Sequence, residues 1–320
     1  MSETALQFDC AQIARQVLDG ELKNQLADID RKRKIVKVIG FAFVALGGAG
    51  LLGSKIFQFG EAGMVVGMLM LLSGAVLMAA FHKKHCSFYR HQVMQELINA
   101  LKLPLTYHPD KGLERSRFKK FALFGSFDRY HSEDLLRGTL GKTRIEASEV
   151  HIERKHKSKK RTSYSTIFRG VVFIADFNKE FSCRTAILPD VAEKCFGKLM
   201  GNFLQNLNFS EKGKLVKLEN IEFEKRFAVY SSDQHEARYL LTPQFMEQLL
   251  AVQNAEKAPI RALFCDNNLV MTLPRRGGWL EPPFWGTLAR AEVLEKSLHE
   301  VIEILNIVQL LDLNTRIWTK

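Results

Sequence analysis

Apolar positions are concentrated in two stretches near the start of the chain. Residues 35–57 are apolar except for Lys37 and Lys55, and their centre, residues 38–53, carries no charge over sixteen positions. Residues 62–81 are twenty more uncharged positions. At about 1.5 Å of rise per residue, helices of these lengths cross a hydrocarbon core of roughly 30 Å. Residues 54–61 are too few to form a domain, so the two stretches predict a transmembrane helical hairpin with both ends on one side.

The flanks orient that hairpin. Arg31, Lys32, Arg33, Lys34 and Lys37 border the first span and Lys83 and Lys84 follow the second, whereas the connecting loop holds only Lys55 and Glu61. Lys and Arg stay on the cytoplasmic side, so both termini are expected there. A hairpin buried in a soluble core would give those basic edges no role. Residues 1–34 are too polar for a cleavable signal peptide. Gly47 and Gly50 in the first span, and Gly63, Gly67 and Gly74 in the second, let helices approach closely, and Gly63–Gly67 has GxxxG spacing. Packing within the hairpin is the simpler use of these positions; a homo-oligomer is the other. Neither span contains an acidic residue or a histidine, which disfavours a transporter or channel.

Outside the spans the periodicities change. Leu6, Ile13, Val17, Leu22, Leu26 and Ile29 recur near a 3.6-residue period, predicting one amphipathic helix over residues 4–30. Residues 88–101 continue the second span as a helix that ends at Leu103-Pro104. Residues 143–152 and 164–176 read as a long antiparallel hairpin with the polar tip ERKHKSKKR. A strand over 181–188 stops at Pro189, and 191–207 reads as a helix. The order repeats weakly as strands 226–230 and 236–241 and a helix from Pro243, with Arg184 and Arg238 each five residues before a proline. Residues 260–265 and 269–273 flank Asp266-Asn267-Asn268 as a hairpin, and 289–311 is a long amphipathic helix. The expected class is α+β: residues 1–34 an amphipathic helix, 35–84 the hairpin, and 85–320 a cytoplasmic domain of mainly antiparallel sheet with packed helices, dividing near 210–220.

Charge changes this picture more than overall composition does. The chain of 320 residues has a net charge of +11, yet residues 82–161 hold 19 basic and 9 acidic side chains while residues 162–320 hold 19 of each. The excess therefore follows directly after the second span. Its densest part is Arg154, Lys155, His156, Lys157, Ser158, Lys159, Lys160 and Arg161, which near an anionic leaflet attracts lipid at about 1 kcal/mol per Lys or Arg. Otherwise it is a solvated tip. No stacking aromatics interleave with it, so nucleic acid is a poor fit. The other juxtamembrane basic residues, Arg31, Lys32, Arg33, Lys34, Lys83 and Lys84, are expected to meet the same headgroups.

Catalytic chemistry is sparse. The five cysteines form no CxxC pair. His82, His85 and Cys86 alternate with two lysines that would repel a cation, so no metal is expected, and no cofactor motif is present. Glu236 and Arg238, beside Asp233 and His235, read as an ion pair on one strand face. Trp279, Phe284 and Trp285 lie in a proline-stiffened loop that either covers the core or meets a partner or a membrane interface.

Residues 223–250 (FEKRFAVYSSDQHEARYLLTPQFMEQLL), with 138–155, 167–185 and the closing LNTRIW, resemble bacterial membrane proteins grouped as domain of unknown function family 3137. The resemblance covers roughly residues 85–320, and its motif positions include Tyr230, Asp233, Glu236, Ala237, Arg238 and Pro243. It implies an integral protein of the bacterial inner membrane, a LemA-like membrane protein as one candidate partner, and no assigned activity. Cys183 departs from the small residue, usually glycine, expected there, which bears on the turn geometry. The expected role is a non-enzymatic membrane-anchored adaptor binding protein partners and anionic lipid. Its rivals are a membrane-bound enzyme acting on lipid or envelope substrates, and a self-assembling structural protein.

Overall fold

The computed structural model describes residues 8–20, 22–56, 60–158, 161–177, 179–190, 214–256 and 258–313. They fall into two compact units. One comprises Asp9–Leu101 and Glu281–His299; the other comprises Met1–Phe8, Lys102–Leu280 and Glu300–Lys320.

The first unit is helical. Helix α1 (Cys10–Asp19) is capped by the Asp9 side chain, which accepts from Gln12 N at 2.9 Å, and it ends at Gly20 in extended conformation. The amphipathic stretch expected as one helix is therefore two: the chain breaks at Gly20, and the second part opens α2 (Leu22–Ile56). Helix α3 (Gly60–Phe88) follows, and both are long and apolar enough to cross a membrane. Gly47 and Gly67 face each other so closely that a Cβ on Gly47 would lie 2.7 Å from the Gly67 carbonyl, and Gly74 approaches the Gly40 carbonyl in the same way. Gly50 packs near Gly67, and Gly63 is half-buried on α3.

Beyond α3 the helix widens into a π-helical stretch, Tyr89–Met94, before α4 (Gln95–Ala100). The wider turn buries Tyr89, whose hydroxyl meets Ser297 Oγ at 2.8 Å on the terminal helix, Ala291–Leu310. That helix, α9 in the numbering below, buries Leu294, Leu298, Val301, Leu305 and Val308 along one stripe.

The second unit is built on a nine-stranded, wholly antiparallel sheet. Its strands are β1 (Leu105–His108), β2 (Arg129–Leu140), β3 (Thr143–Ser158), β4 (Arg161–Asp176), β5 (Thr185–Pro189), β6 (Lys214–Val216), β7 (Phe227–Ser231), β8 (Arg261–Cys265) and β9 (Asn268–Pro274), in the order β1-β2-β3-β4-β9-β8-β5-β7-β6. Its helices are α5 (Arg115–Phe121), α6 (Ile221–Glu224), α7 (Gln234–Leu240) and α8 (Pro243–Glu256), followed by part of α9. The class is α+β, as the patterning predicts. Phe118, Phe121, Leu123 and Phe124 close one sheet face over Val150, Ile152, Phe168, Val172 and Leu263. Asp266 and Asn267 both adopt positive φ, the backbone of a type I′ turn, and so set the β8–β9 register.

Two expectations need correction. Residues 236–241 are not a strand: α7 runs through 240 and Leu241 is its C-cap, so the weak internal repeat does not hold. The strands of the basic hairpin run further than expected: β3 and β4 stay paired from Ile152/Phe168 out to Ser158/Arg161. The helix expected over 191–207, Lys159, Lys160 and most of the LNTRIW motif lie outside the described residues.

Candidate functional site

In the helical unit, the basic residues before the first span divide into two groups. Asp30 accepts from the Leu288 N–H at 2.8 Å and from Ala289 N–H at 2.9 Å, fixing the loop that precedes α9. Arg33, one turn on, sits 3.4 Å from Asp30 and donates to the carbonyls of Pro283 and Phe284 at 2.7 and 2.9 Å. It is 4% exposed and directed at these loop carbonyls, unlike the exposed basic residues around it. Arg31, Lys34, Lys83 and Lys84 are exposed, and Lys32 is exposed beside Asp28 at 2.6 Å.

Lys37 donates to the Phe284 carbonyl at 2.5 Å, and its ammonium lies 5.0 and 4.9 Å from the centroids of Phe284 and Trp285. Trp285 stacks on Phe41 at 5.9 Å and is 62% exposed. The proline-stiffened loop is thus divided in use. Trp279 is 2% exposed in the sheet unit, its backbone N–H donating to Glu149 at 2.6 Å, while Phe284 and Trp285 border the apolar part of α2. His82 and His85 are packed against Phe284 and Phe81, with Cys86 3.5 Å from His82 Nε2, an i, i+4 contact along one helix.

In the sheet unit, β2 pairs with β3 only up to Arg129/Glu153, and β9 pairs with β4 only from Gly170. Beyond those points β3 and β4 form a two-stranded ribbon. Lys155 and Lys157 alternate onto one face with Tyr164 and Thr162, and Arg154 and Arg161 lie on the other with His156. Its base is anchored: Lys155 N donates to Asp128 at 2.7 Å, Arg154 to the Ser126 carbonyl at 3.2 Å, and the Arg129 guanidinium lies 3.3 Å from the Tyr164 ring centroid. The contacts gather at the base of the ribbon, and Lys157 and Arg161 further out are exposed.

The motif residues around α7 form a structural clamp. Asp233 caps α7, accepting from His235 N at 2.7 Å and Glu236 N at 3.1 Å. Glu236 reaches across to the N–H groups of Ser182 and Cys183 at 2.8 and 2.7 Å. Burial opposes its charge, but the Cys183 thiol and the two N–H donors outweigh that and hold its pKa below the usual value. Arg238 does not pair with Glu236; it donates to the Lys217 carbonyl at 3.4 Å. Tyr230 and Ala237 are buried, and Pro243 is the first residue of α8. Cys183 is not among the positive-φ residues, so no glycine is required there.

One cluster escaped the sequence reading. Carboxylate oxygens of Glu133, Asp134 and Glu149 lie within 4.8 Å of one another. Glu149 is bound by Arg169 at 3.2 Å and by the Trp279 backbone N–H, and Asp134 by the Tyr107 hydroxyl, so these groups serve the sheet and the loop around it. Asp134 sits at positive φ inside the β2 bulge, and no periodicity signals a bulge.

These features define a class: two helices able to cross a membrane, followed by an α+β domain on a nine-stranded antiparallel sheet. Residues 166–313 match the family described as "Protein of unknown function (DUF3137)", so the resemblance read from the motifs holds over that stretch, from β4 to the end of α9. No curated protein and no solved structure matches the chain.

Proposed function

We propose that this chain is a membrane-anchored, non-enzymatic scaffold. In this reading α2 and α3 cross the bacterial cytoplasmic membrane as a hairpin with both termini on the cytoplasmic side. The basic ribbon engages anionic headgroups, and the sheet unit takes a protein partner.

The observation that carries the reading is the band of large apolar side chains exposed on the helix pair. It includes Leu46, Leu52, Val65, Leu69 and Val76, and it meets Lys37, Phe284 and Trp285 near its edge. Contiguous apolar surface of this kind is costly in water, whereas Trp and Lys beside it are the usual markers of a lipid–water boundary. The exposed Arg31, Lys34, Lys83 and Lys84 at the hairpin's open end support the orientation. Close packing at Gly47/Gly67 and Gly40/Gly74 is satisfied within the pair, so the reading requires no second copy.

The test has two arms. Reporters fused after Lys320 and inserted in the 57–59 connection should report opposite sides of the membrane; the same side for both would overturn the hairpin. Full-length protein in neutral nanodiscs should bind vesicles rich in phosphatidylglycerol. Lys155→Glu combined with Lys157→Glu should weaken that binding at least about tenfold, given about 1 kcal/mol per basic residue near an anionic surface. Unchanged binding would remove the ribbon from the scheme.

A further inference from the structure

A groove of about 490 Å3 opens in the sheet unit where β9 leaves β4 at the Gly170/Pro274 pair. Its volume lies in the range of small-molecule sites, roughly 300–1,000 Å3. Four arginines line it, and they differ in one respect. Arg169 is neutralised by Glu149 at 3.2 Å, and Arg275 by both oxygens of Glu256 with Glu303 at 3.8 Å. Arg261 and Arg276 have no carboxylate partner among the described residues.

Arg261 is half-buried. It donates to the Leu123 carbonyl, and its guanidinium lies 4.4 Å from the centroid of Phe124. Burial without a counter-ion pushes its pKa down to about 10. Directly opposite it in the β8–β9 register, and so on the same sheet face, is Thr272. Thr272 lines the groove at 1% exposure, and its Oγ1 has no hydrogen-bond partner. A buried hydroxyl without a partner and a half-buried cation without an anion are both unfavourable. One anionic ligand with several acceptor oxygens satisfies both. The exposed Arg276 at the groove adds a second unneutralised charge, and Phe168, Pro189 and Pro259 supply apolar wall.

We propose that this groove binds a phosphate monoester of about mononucleotide size, its phosphate held by Arg261, Thr272 and Arg276 and its organic part against Phe168 and the prolines. Two guanidiniums balance the charge of such a group, about −1.5 to −2 at pH 7. The volume leaves room for more than the phosphate. The same chemistry is offered by a free nucleoside monophosphate and by the headgroup of phosphatidic acid.

Full-length protein in phosphatidylcholine nanodiscs, titrated calorimetrically with adenosine monophosphate, tests the first source; nanodiscs containing phosphatidic acid, compared by thermal shift with phosphatidylcholine alone, test the second. Saturable binding of either probe is expected, weakened about tenfold by Arg276→Ala and by Thr272→Val, since each removes a donor to a charged acceptor. Arg276 is exposed and Thr272 Oγ1 holds nothing in the protein, so neither change should lower the melting temperature of the unliganded protein. If Thr272→Val disturbed folding, Arg276→Ala alone would still decide. No saturable binding of either probe up to about 10 mM, or binding that both substitutions leave within about twofold, would overturn the proposal.

Discussion

Asp30→Asn is the sharpest test of how the helical unit is held together. In the native protein both carboxylate oxygens accept from Leu288 N–H and one also accepts from Ala289 N–H, while Arg33 sits beside them almost without solvent. Asparagine keeps one acceptor oxygen but turns an amide NH2 toward a backbone donor, and it removes the charge that neutralises Arg33. Losing one hydrogen bond to a charged acceptor costs about 1.5–3 kcal/mol, and leaving a buried charge unpaired costs about 3–5. Arg33 retains the Pro283 and Phe284 carbonyls, which places the expected loss near the lower figures, about 3 kcal/mol. At about 1.36 kcal/mol per decade, the amides of Leu288 and Ala289 should exchange with solvent roughly a hundredfold faster. Hydrogen-exchange mass spectrometry of full-length protein in nanodiscs, read over residues 281–290, measures this directly. Exchange within about threefold of wild type would mean that the loop is held by its aromatic contacts and that the Asp30–Arg33 account is wrong.

Other perturbations follow from the same geometry. Gly47→Val places a Cβ 2.7 Å from the Gly67 carbonyl and 2.9 Å from Leu71 N, so it should separate the helices and lower the melting temperature in detergent; Gly48→Ala, with open space around it, should not. Glu236→Gln should raise exchange of the Ser182 and Cys183 amides about tenfold. Because the folded pKa of Glu236 is depressed, the protection it gives is complete above its unfolded value of about 4.3 and is lost as pH falls through the lower folded value; exchange at pH 5 and pH 3, corrected for intrinsic rates, should show this sign and not the reverse. The fluorescence lost on Trp285→Phe should be the part of the wild-type signal that lipids brominated near the headgroup quench. If deep bromines quenched it more, or none did, the membrane boundary would not lie at Lys37.

Much of the fold is legible from local chemistry. The two long apolar helices follow from length and hydropathy, the β8–β9 hairpin from Asp266-Asn267, and the start of α8 from Pro243 at its first position. Helix α7 is misread because residues 236–241 alternate like a strand, although Asp233-Gln234-His235-Glu236 carries the spacing of a capping box. Here the cap outweighs the alternation, and Glu236 at the third helical position is turned toward the 182–183 backbone. The groove arginines could not be assigned from sequence. Arg169, Arg261, Arg275 and Arg276 come from β4, β8 and the residues after β9, and nothing local distinguishes the two with carboxylate partners from the two without.

The same difficulty applies to the charge excess itself. A cluster of Lys and Arg beside a span reads as one surface feature, because residue counts carry no information about burial. The structure divides it. Arg33 is turned inward by a carboxylate three residues earlier and by carbonyls some 250 residues later, Lys37 is committed to Phe284 and Trp285, and Arg31, Lys34, Lys83 and Lys84 remain exposed. An inward Arg33 bonded to backbone carbonyls sets the position of the 281–289 loop, and therefore of Trp285. Reversing an exposed charge such as Lys34 should alter lipid affinity and its salt dependence with little effect on folding. Replacing Arg33 should release the loop and act on the interface only through Trp285. Treating the two as one basic patch would merge an electrostatic effect, which salt screens, with a packing effect, which salt leaves in place.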